Sequence, residues 1–291
     1  MGDDYGTYYW TGPGQIAVEN LEGDDSRVIM DRVVPFIRAA TRADDPFLAV
    51  VWFHSPHEPV VGGPTYREQY AHRREAEQHY YGTITAIDEQ IGRLRTELAD
   101  LGLADETMLW FCSDNDPAAE GGGPGWHRGL RQQGETGRLR GRKGTLYEGG
   151  IRMPGTLVWP AMIDGGRTVN LPCVTSDYYP TVFEALGIEP PHDQPWPIDG
   201  VSLFPLIAGE MTARPDPIGF QSPGVEAVID NEHKLIRTDD AAWELYDLDA
   251  DPYETEELAA EHPARVAELR DWFADWRSSC EDSKAGHDYA S

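Results

Sequence analysis

Three short stretches of the 291-residue sequence carry the residue types best suited to chemistry. Asp114 and Asn115, in "SDND", close the apolar run "TMLWFC" and offer side-chain oxygens of the kind a hard cation takes. His54 and His57 bracket a proline in "HSPH", and histidine is the side chain whose ordinary titration falls near neutral pH. Between Arg128 and Lys143 there are six basic residues and one acid, Glu135, an electropositive island that could focus an anionic substrate.

Each stretch also has an ordinary reading. Strands commonly stop at Asp, Asn and Gly, which suit turns. A loop histidine is more often a surface or core residue than a catalyst, and His54 reads as the more structural of the two. A charge run is usually a solvated loop. Calcium takes about six to eight oxygens, so a pair of residues cannot complete a site. Asp3 and Asp4 in "GDDYG" have no preceding strand to aim them and are not expected to be ligands.

The elements that must position these residues follow from hydrophobic period. Ile29, Val33, Phe36, Ile37 and Ala40 predict a helix over residues 26–40, with Pro35 expected to kink or break it. "PFLAVVWF", Pro46 to Phe53, predicts a strand buried on both faces. A helix is expected from about Tyr66 to Asp100 on the stripe Ile84, Ile87, Ile91, Leu94 and Leu98. "TMLWFC" and "GTLVWP" read as further strands, and a helix is expected around Asp177 to Leu186. In the tail, "VEAVID", "HKLIRT" and "WELYDL" read as short strands, and Val266, Leu269, Phe273 and Trp276 as one face of a helix.

This order predicts an α/β fold with a mostly parallel sheet covered by helices, incomplete at its N-terminus, followed by a small C-terminal α+β subdomain with an antiparallel sheet. The proline- and glycine-rich stretch from Gly200 to Pro217 sets the expected division at residues 1–205 and 206–291.

Composition narrows the function classes. The 51 acidic against 24 basic residues give a formal charge of -27, which argues against nucleic acid and anionic membranes as partners. No run approaches the roughly 18 apolar residues of a membrane span. The first residues, "MGDDYGTYYW", lack a signal-peptide pattern, which leaves the compartment unknown. Cys112, Cys173 and Cys280 are too few and too scattered for a disulfide framework or a paired-cysteine zinc site.

Taken in order, a strand ending in "PHEP", then "YYGTITAIDEQIGRL", "SDN", "LRGRKGTLYEGGIRMP", "DYYPTVFEALGI", "DGVSLFPLIAGE" and "ELYDLDADPYET" resemble the sulfatases of the alkaline-phosphatase superfamily. The likeness runs from about Phe47 to Trp276 and is most specific at "LRGRKGTLYEGGIRMP" and "ELYDLDADP". It implies that Asp114 and Asn115 are calcium ligands, and that Lys143 holds the sulfate and the bridging oxygen. It further implies that Arg142 and His127 line the substrate, and that His57 lies near the leaving group. The chemistry is coherent, because sulfate-ester displacement throws charge onto the leaving oxygen, which a cation and a lysine stabilise and a histidine can protonate.

The family's nucleophile, a formylglycine made from the cysteine of a C-x-P-S-R-like motif, has no counterpart here: Cys112 precedes "SDND", Cys173 "VTSDY" and Cys280 "EDSKA". The first strand with its aspartate pair is also missing, and "YGTYYWTGPG" looks like a mid-domain segment. The resemblance therefore implies a C-terminal portion only, in which an aryl or carbohydrate sulfate ester is the substrate class but hydrolysis by the isolated chain is not expected. A non-catalytic anion- or partner-binding remnant, and a phosphate or phosphonate ester hydrolase, are the alternatives. A missing N-terminal segment, or self-association through an exposed sheet edge, is the expected protein partner.

Overall fold

The computed structural model describes residues 9–57, 60–118, 134–189, 197–239 and 241–289. The chain parts into two compact units, residues 1–109 with 117–135, and residues 110–116 with 136–291.

In the first unit, β1 (Trp10–Gly12) pairs antiparallel with β2 (Gln15–Ile16), and three helices follow: α1 (Asp25–Ala43), α2 (Pro64–Glu68) and α3 (Glu75–Asp100). The Asp24 carboxylate accepts from the Ser26 N–H at 3.0 Å and so satisfies one orphan donor at the start of α1. Pro35 lies on an exposed position and α1 runs through it unbroken, contrary to expectation. The single helix expected from Tyr66 is instead two, because α3 begins afresh at Glu75, where Glu77 accepts from the Arg74 N–H at 3.1 Å.

Met30, Val34 and Ile37 of α1 pack on Leu94 and Leu98 of α3 to form the core of this unit. Across the same pair of helices, Arg38 bonds Glu97 at 2.5 and 2.7 Å. The buried stripe of α3 passes through His79, Thr83, Ala86, Ile87, Gln90, Leu94 and Leu98, and Ile84 faces solvent. The expected strand over Pro46–Phe53 is also corrected: no strand forms there. Phe47, Val51 and Phe53 pack on the core, while Leu48, Val50 and Trp52 are exposed.

The second unit begins within β3 (Leu109–Cys112), which pairs with β4 (Gly155–Val158). The elements α4 (Glu148–Ile151), α5 (Tyr178–Ala185) and α6 (Phe204–Ala208) are short. They lead to a four-stranded antiparallel sheet of β5 (Ile218–Ser222), β6 (Val225–Asp230), β7 (His233–Thr238) and β8 (Glu244–Asp247), in that order, and to α7 (Pro263–Lys284). The α/β portion and the small antiparallel sheet with its helix are thus both present. The strand β5 was not expected from sequence.

Period-two alternation gives the sheet two buried faces. Leu235 pairs with Val228 and Leu245 in register, and this face packs on Leu269 and Phe273 of α7. Burying each such side chain stabilises by roughly 1.5–3 kcal/mol. Gly219 of β5 lets the Trp276 ring come close, since a Cβ there would lie 2.5 Å from it. The opposite face, with Ala227, Ile229, Ile236 and Tyr246, receives Leu146, Tyr147 and Ile151. Burial thereby carries the segment around Lys143 onto the sheet.

Candidate active site

At the end of β3, Asp114 is exposed, Asn115 is half-buried, and the Asn115 carbonyl accepts from Ser113 Oγ at 2.9 Å. Asp116 follows, half-buried, with an Oδ2 that is closed to solvent and has no hydrogen-bond partner. Burial, and then the Glu148 carboxylate, raise its pKa above the usual range, against the pull of Arg142. The Asp116 N–H donates to the Gly150 carbonyl at 3.3 Å. The strand end and the basic loop therefore meet.

That loop is shaped by glycines at the points where backbone crosses backbone. A Cβ on Gly149 would lie 2.5 Å from the Gly141 carbonyl oxygen and 2.7 Å from that of Arg140. Gly141 and Gly144 adopt φ of 83° and 94°, a region that favours glycine. The Gly149 N–H donates to the Arg140 carbonyl at 2.7 Å and closes the loop.

The basic residues of the loop divide by role. The Arg140 guanidinium bonds Tyr246 Oη at 2.7 Å, Tyr147 Oη at 3.0 Å and the Glu254 carbonyl at 3.3 Å, and lies 3.8 Å over the Tyr147 ring. Arg138 stacks 4.3 Å over the Tyr253 ring. These contacts tie Arg140 to β8 and Arg138 to Tyr253, and both arginines remain exposed. Arg142 is half-buried, and Lys143 is exposed.

Beneath the loop lies a buried ion triad. Lys234 of β7, fully closed to solvent, places Nζ 2.9 Å from Glu148 Oε1 and 2.8 Å from Glu254 Oε1. The approach to Glu254 Oε1 lies outside hydrogen-bonding geometry, so this contact is one of charge. Glu254 Oε2 accepts from the Glu148 N–H at 2.8 Å. A second buried pair fixes the start of α5: Arg214 forks onto Asp177 with two bonds of 2.7 Å. The Asp177 carboxylate also takes the N–H groups of Val174 and Val201, at 2.8 and 2.9 Å.

The histidine loop belongs to the first unit and is tied to the start of α1. Asp25 accepts from Ser55 Oγ at 2.6 Å and from the His54 N–H at 3.1 Å, and the His57 N–H donates to the His54 carbonyl at 2.9 Å. The two rings meet edge to face at 5.5 Å, both exposed.

Of the residues expected from sequence, Asp114, Asn115, Arg142 and Lys143 lie in the second unit, His57 lies in the first, and His127 falls outside the described residues. The donors of the strand end suit a hard cation in chemistry but not in number. Among the described residues no three His, Cys, Asp or Glu side chains converge as a cation would require, so these residues alone do not hold calcium. Nor are Cys173 and Cys280 tuned as nucleophiles: desolvation, then the Asp177 carboxylate, push the Cys173 thiol up to about 11, and Cys280 is raised as well.

Sequence reasoning missed Asp116, Glu148, Lys234 and Glu254. A signal for Lys234 existed, because in "HKLIRT" it is in phase with the buried Ile236.

The model of the sulfatase family matches residues 2–188, and that of the N-sulphoglucosamine sulphohydrolase C-terminal region matches residues 134–271. A sulfatase of Formosa agariphila is 30% identical over 265 residues, 81% of this chain and 46% of that protein. Mouse steryl-sulfatase is 35% identical over 188 residues, 65% of this chain and 28% of that protein. The chain thus spans less than half the length of these relatives.

Among solved structures, Ps i-CgsB in complex with k-i-k-neocarrahexaose superposes with a TM-score of 0.76 at 22% identity, over 87% of this chain and 55% of that one. A protein solved with its substrate D-glucosamine-2-N,6-O-disulfate gives 0.70 at 19%, over 92% and 72%. The phosphonate monoester hydrolase of Agrobacterium radiobacter gives 0.59 at 20%, over 90% and 64%.

Proposed function

The chain belongs to the sulfatase family, and on that premise we propose that it carries the substrate-holding part of a sulfuric ester hydrolase acting on aryl or carbohydrate sulfate esters. One observation supports this above the others: the strand end with Asp114 and Asn115 and the loop with Arg142 and Lys143 are joined by the Asp116 to Gly150 hydrogen bond.

On this reading the exposed Lys143 ammonium takes the sulfate and the bridging oxygen, and Arg142 and His127 line the ester. When the S–O bond breaks, negative charge grows on the leaving oxygen. Lys143 would offset that charge, and the resemblance gives His57 the role of supplying the alcohol's proton. Asp114 and Asn115 contribute oxygens to a calcium whose remaining ligands are not among the described residues, and no step is routed through it. The attacking group of the family is a formylglycine, and this sequence contains no C-x-P-S-R-like run from which to make one. The chain as given is therefore proposed to bind sulfate esters without turning them over, and to correspond to the C-terminal portion of its longer relatives. Residues 1–205 and 206–291 are proposed as its domains.

The test is titration of the full chain with an aryl sulfate, with turnover followed in the same samples. Saturable binding that weakens about tenfold or more in Lys143→Ala, as loss of a charge-assisted contact predicts, is the expected result. Absence of binding overturns the proposal. Turnover that vanishes in Lys143→Ala overturns its non-catalytic clause. The likeness to a phosphonate monoester hydrolase favours one second reading, in which a phosphonate monoester binds in place of the sulfate ester. A competition titration decides between the two.

A further inference from the structure

From Thr136 to Tyr147 the chain carries four cations and no acid, in a sequence whose formal charge is -27. Arg140 is committed to Tyr246, Tyr147, Glu244 and the Glu254 carbonyl. Arg138 and Lys143 differ from it: both are exposed, and among the described residues no hydrogen bond or ion pair reaches either side chain. A carboxylate is the ordinary partner of an arginine in so acidic a chain, and Arg138 is set on an aromatic ring instead.

Arg138 is nevertheless fixed in place. It lies in a turn in which the Leu139 N–H donates to the Thr136 carbonyl at 3.1 Å and Thr136 Oγ1 donates to the Leu139 carbonyl at 3.2 Å. Gly137, just before it, has a φ of 63°, a region that favours glycine. The Arg138 guanidinium lies 4.3 Å over the Tyr253 ring. That ring is anchored in turn, because the Tyr253 N–H donates to Asp251 Oδ1 at 3.3 Å and the next residue, Glu254, is buried against Lys234. A stacked guanidinium uses its face and keeps its five N–H donors, which lie in the plane, for a fork onto a sulfate or carboxylate. Holding it on a ring beforehand reduces the rotamer freedom lost on binding.

We propose that Arg138, seated on Tyr253, is a second anion subsite, and that the ligand of this loop is a carbohydrate sulfate ester bearing a further sulfate or carboxylate. The inference rests on the reading of Lys143 as the residue that takes the ester. Arg138 and Lys143 stand five positions apart in the chain. Their Cα atoms are therefore separated by at most about 18 Å, a distance a short oligosaccharide can bridge. An aryl monosulfate offers one anionic group and leaves one of the two cations unused. A sugar, with several hydroxyls and a rigid ring, can carry a second charge at a set separation from the first.

The experiment titrates the full chain with an aryl sulfate and with three disaccharides: cellobiose carrying one sulfate ester, cellobiose carrying a sulfate ester on each sugar, and cellobiose carrying one sulfate ester and one carboxylate. At least one doubly charged disaccharide should bind about tenfold or more tightly than the monosulfated one, as an added charge-assisted fork predicts, and the tighter of the two identifies the second group. Arg138→Ala should bring the doubly charged ligands to the level of the monosulfated one, change monosulfate binding by less than about twofold, and leave the melting temperature unaltered, as expected of an exposed side chain. Arg138→Lys, which keeps the charge but not the planar fork, should retain only part of the preference. Lys143→Ala should weaken all three disaccharides. Equal binding of singly and doubly charged disaccharides overturns the inference, as does a preference that survives Arg138→Ala or a monosulfate affinity that falls equally in that variant. Binding of the aryl sulfate with none of the disaccharides overturns it too, while the proposed function stands. Binding of neither class overturns both.

Discussion

The Lys234 ammonium lies 2.8 Å from the Glu254 carboxylate, and neither side chain reaches solvent. With Glu148 at 2.9 Å, one buried cation serves two buried carboxylates, one from "YEGG" and one from "DPYET". Two of the stretches that carry the sulfatase resemblance are therefore joined by charge inside the second unit.

Removing the cation leaves Glu254 without its counter-charge and Glu148 with only Arg152 at 3.5 Å, and breaking a buried pair from one side typically costs about 3–5 kcal/mol. Lys234→Met should lower the urea-unfolding free energy by about that amount. Glu254→Gln preserves shape and leaves the Lys234–Glu148 pair, so it should cost clearly less. Equal losses in the two variants would show that the excess carboxylate carries no penalty.

The pH dependence follows from the same residue. Burial raises the Glu254 pKa, against the lowering pull of Lys234, so the folded chain binds this proton more tightly than the unfolded chain. Stability then falls as pH rises from the unfolded carboxylate value, near about 4.3, to the folded one, at no more than about 1.4 kcal/mol per pH unit for one group. Lys234, Glu148 and Arg152, which lies 3.5 Å from Glu148, are the charged groups at this site. Urea midpoints measured from pH 4 to 7 should decline less steeply in Glu254→Gln than in the parent. An unchanged slope would assign the decline to other groups.

Gly149 tests the construction of the loop. A methyl group there would press on the carbonyls of Gly141 and Arg140 at 2.5 and 2.7 Å, and backbone cannot yield as a flexible side chain can. Gly149→Ala should cost about 1–3 kcal/mol, as overpacking does, and weaken binding of an aryl sulfate in parallel. A variant of parental stability and affinity would mean that the loop relaxes freely.

How much of this was legible in the sequence depended on whether neighbours or period decide a residue's fate. Leu235 and the rest of the tail's alternation gave strands, and the spacing of Leu94 and Leu98 gave a helix, because one covered face is enough to set the period. Pro46–Phe53 was misread because a continuous apolar run implies cover on both sides, and here one side is bare. The strand end at Asp114 and Asn115 was legible as a place. Asp116 was not, because its isolation depends on Gly150 and Glu148, distant in sequence. Lys234 was passed over because a lysine in a short strand is ordinarily solvated, and only its partners make its burial possible.

The last prediction separates the basic residue that holds the loop from the one offered to the ester. Arg140 makes charge-assisted bonds to two tyrosines and a carbonyl, and such bonds contribute about 1.5–3 kcal/mol each in favourable cases. Arg140→Ala should therefore unfold at lower urea and weaken ester binding only as a consequence of the loosened loop. Lys143 is exposed, and Lys143→Ala should leave stability within about 0.5 kcal/mol of the parent while binding weakens about tenfold or more. Both quantities come from one urea titration and one binding titration per variant. If Lys143→Ala destabilises as much as Arg140→Ala, the exposed lysine is part of the scaffold, and the reading of this loop as the substrate-holding element fails.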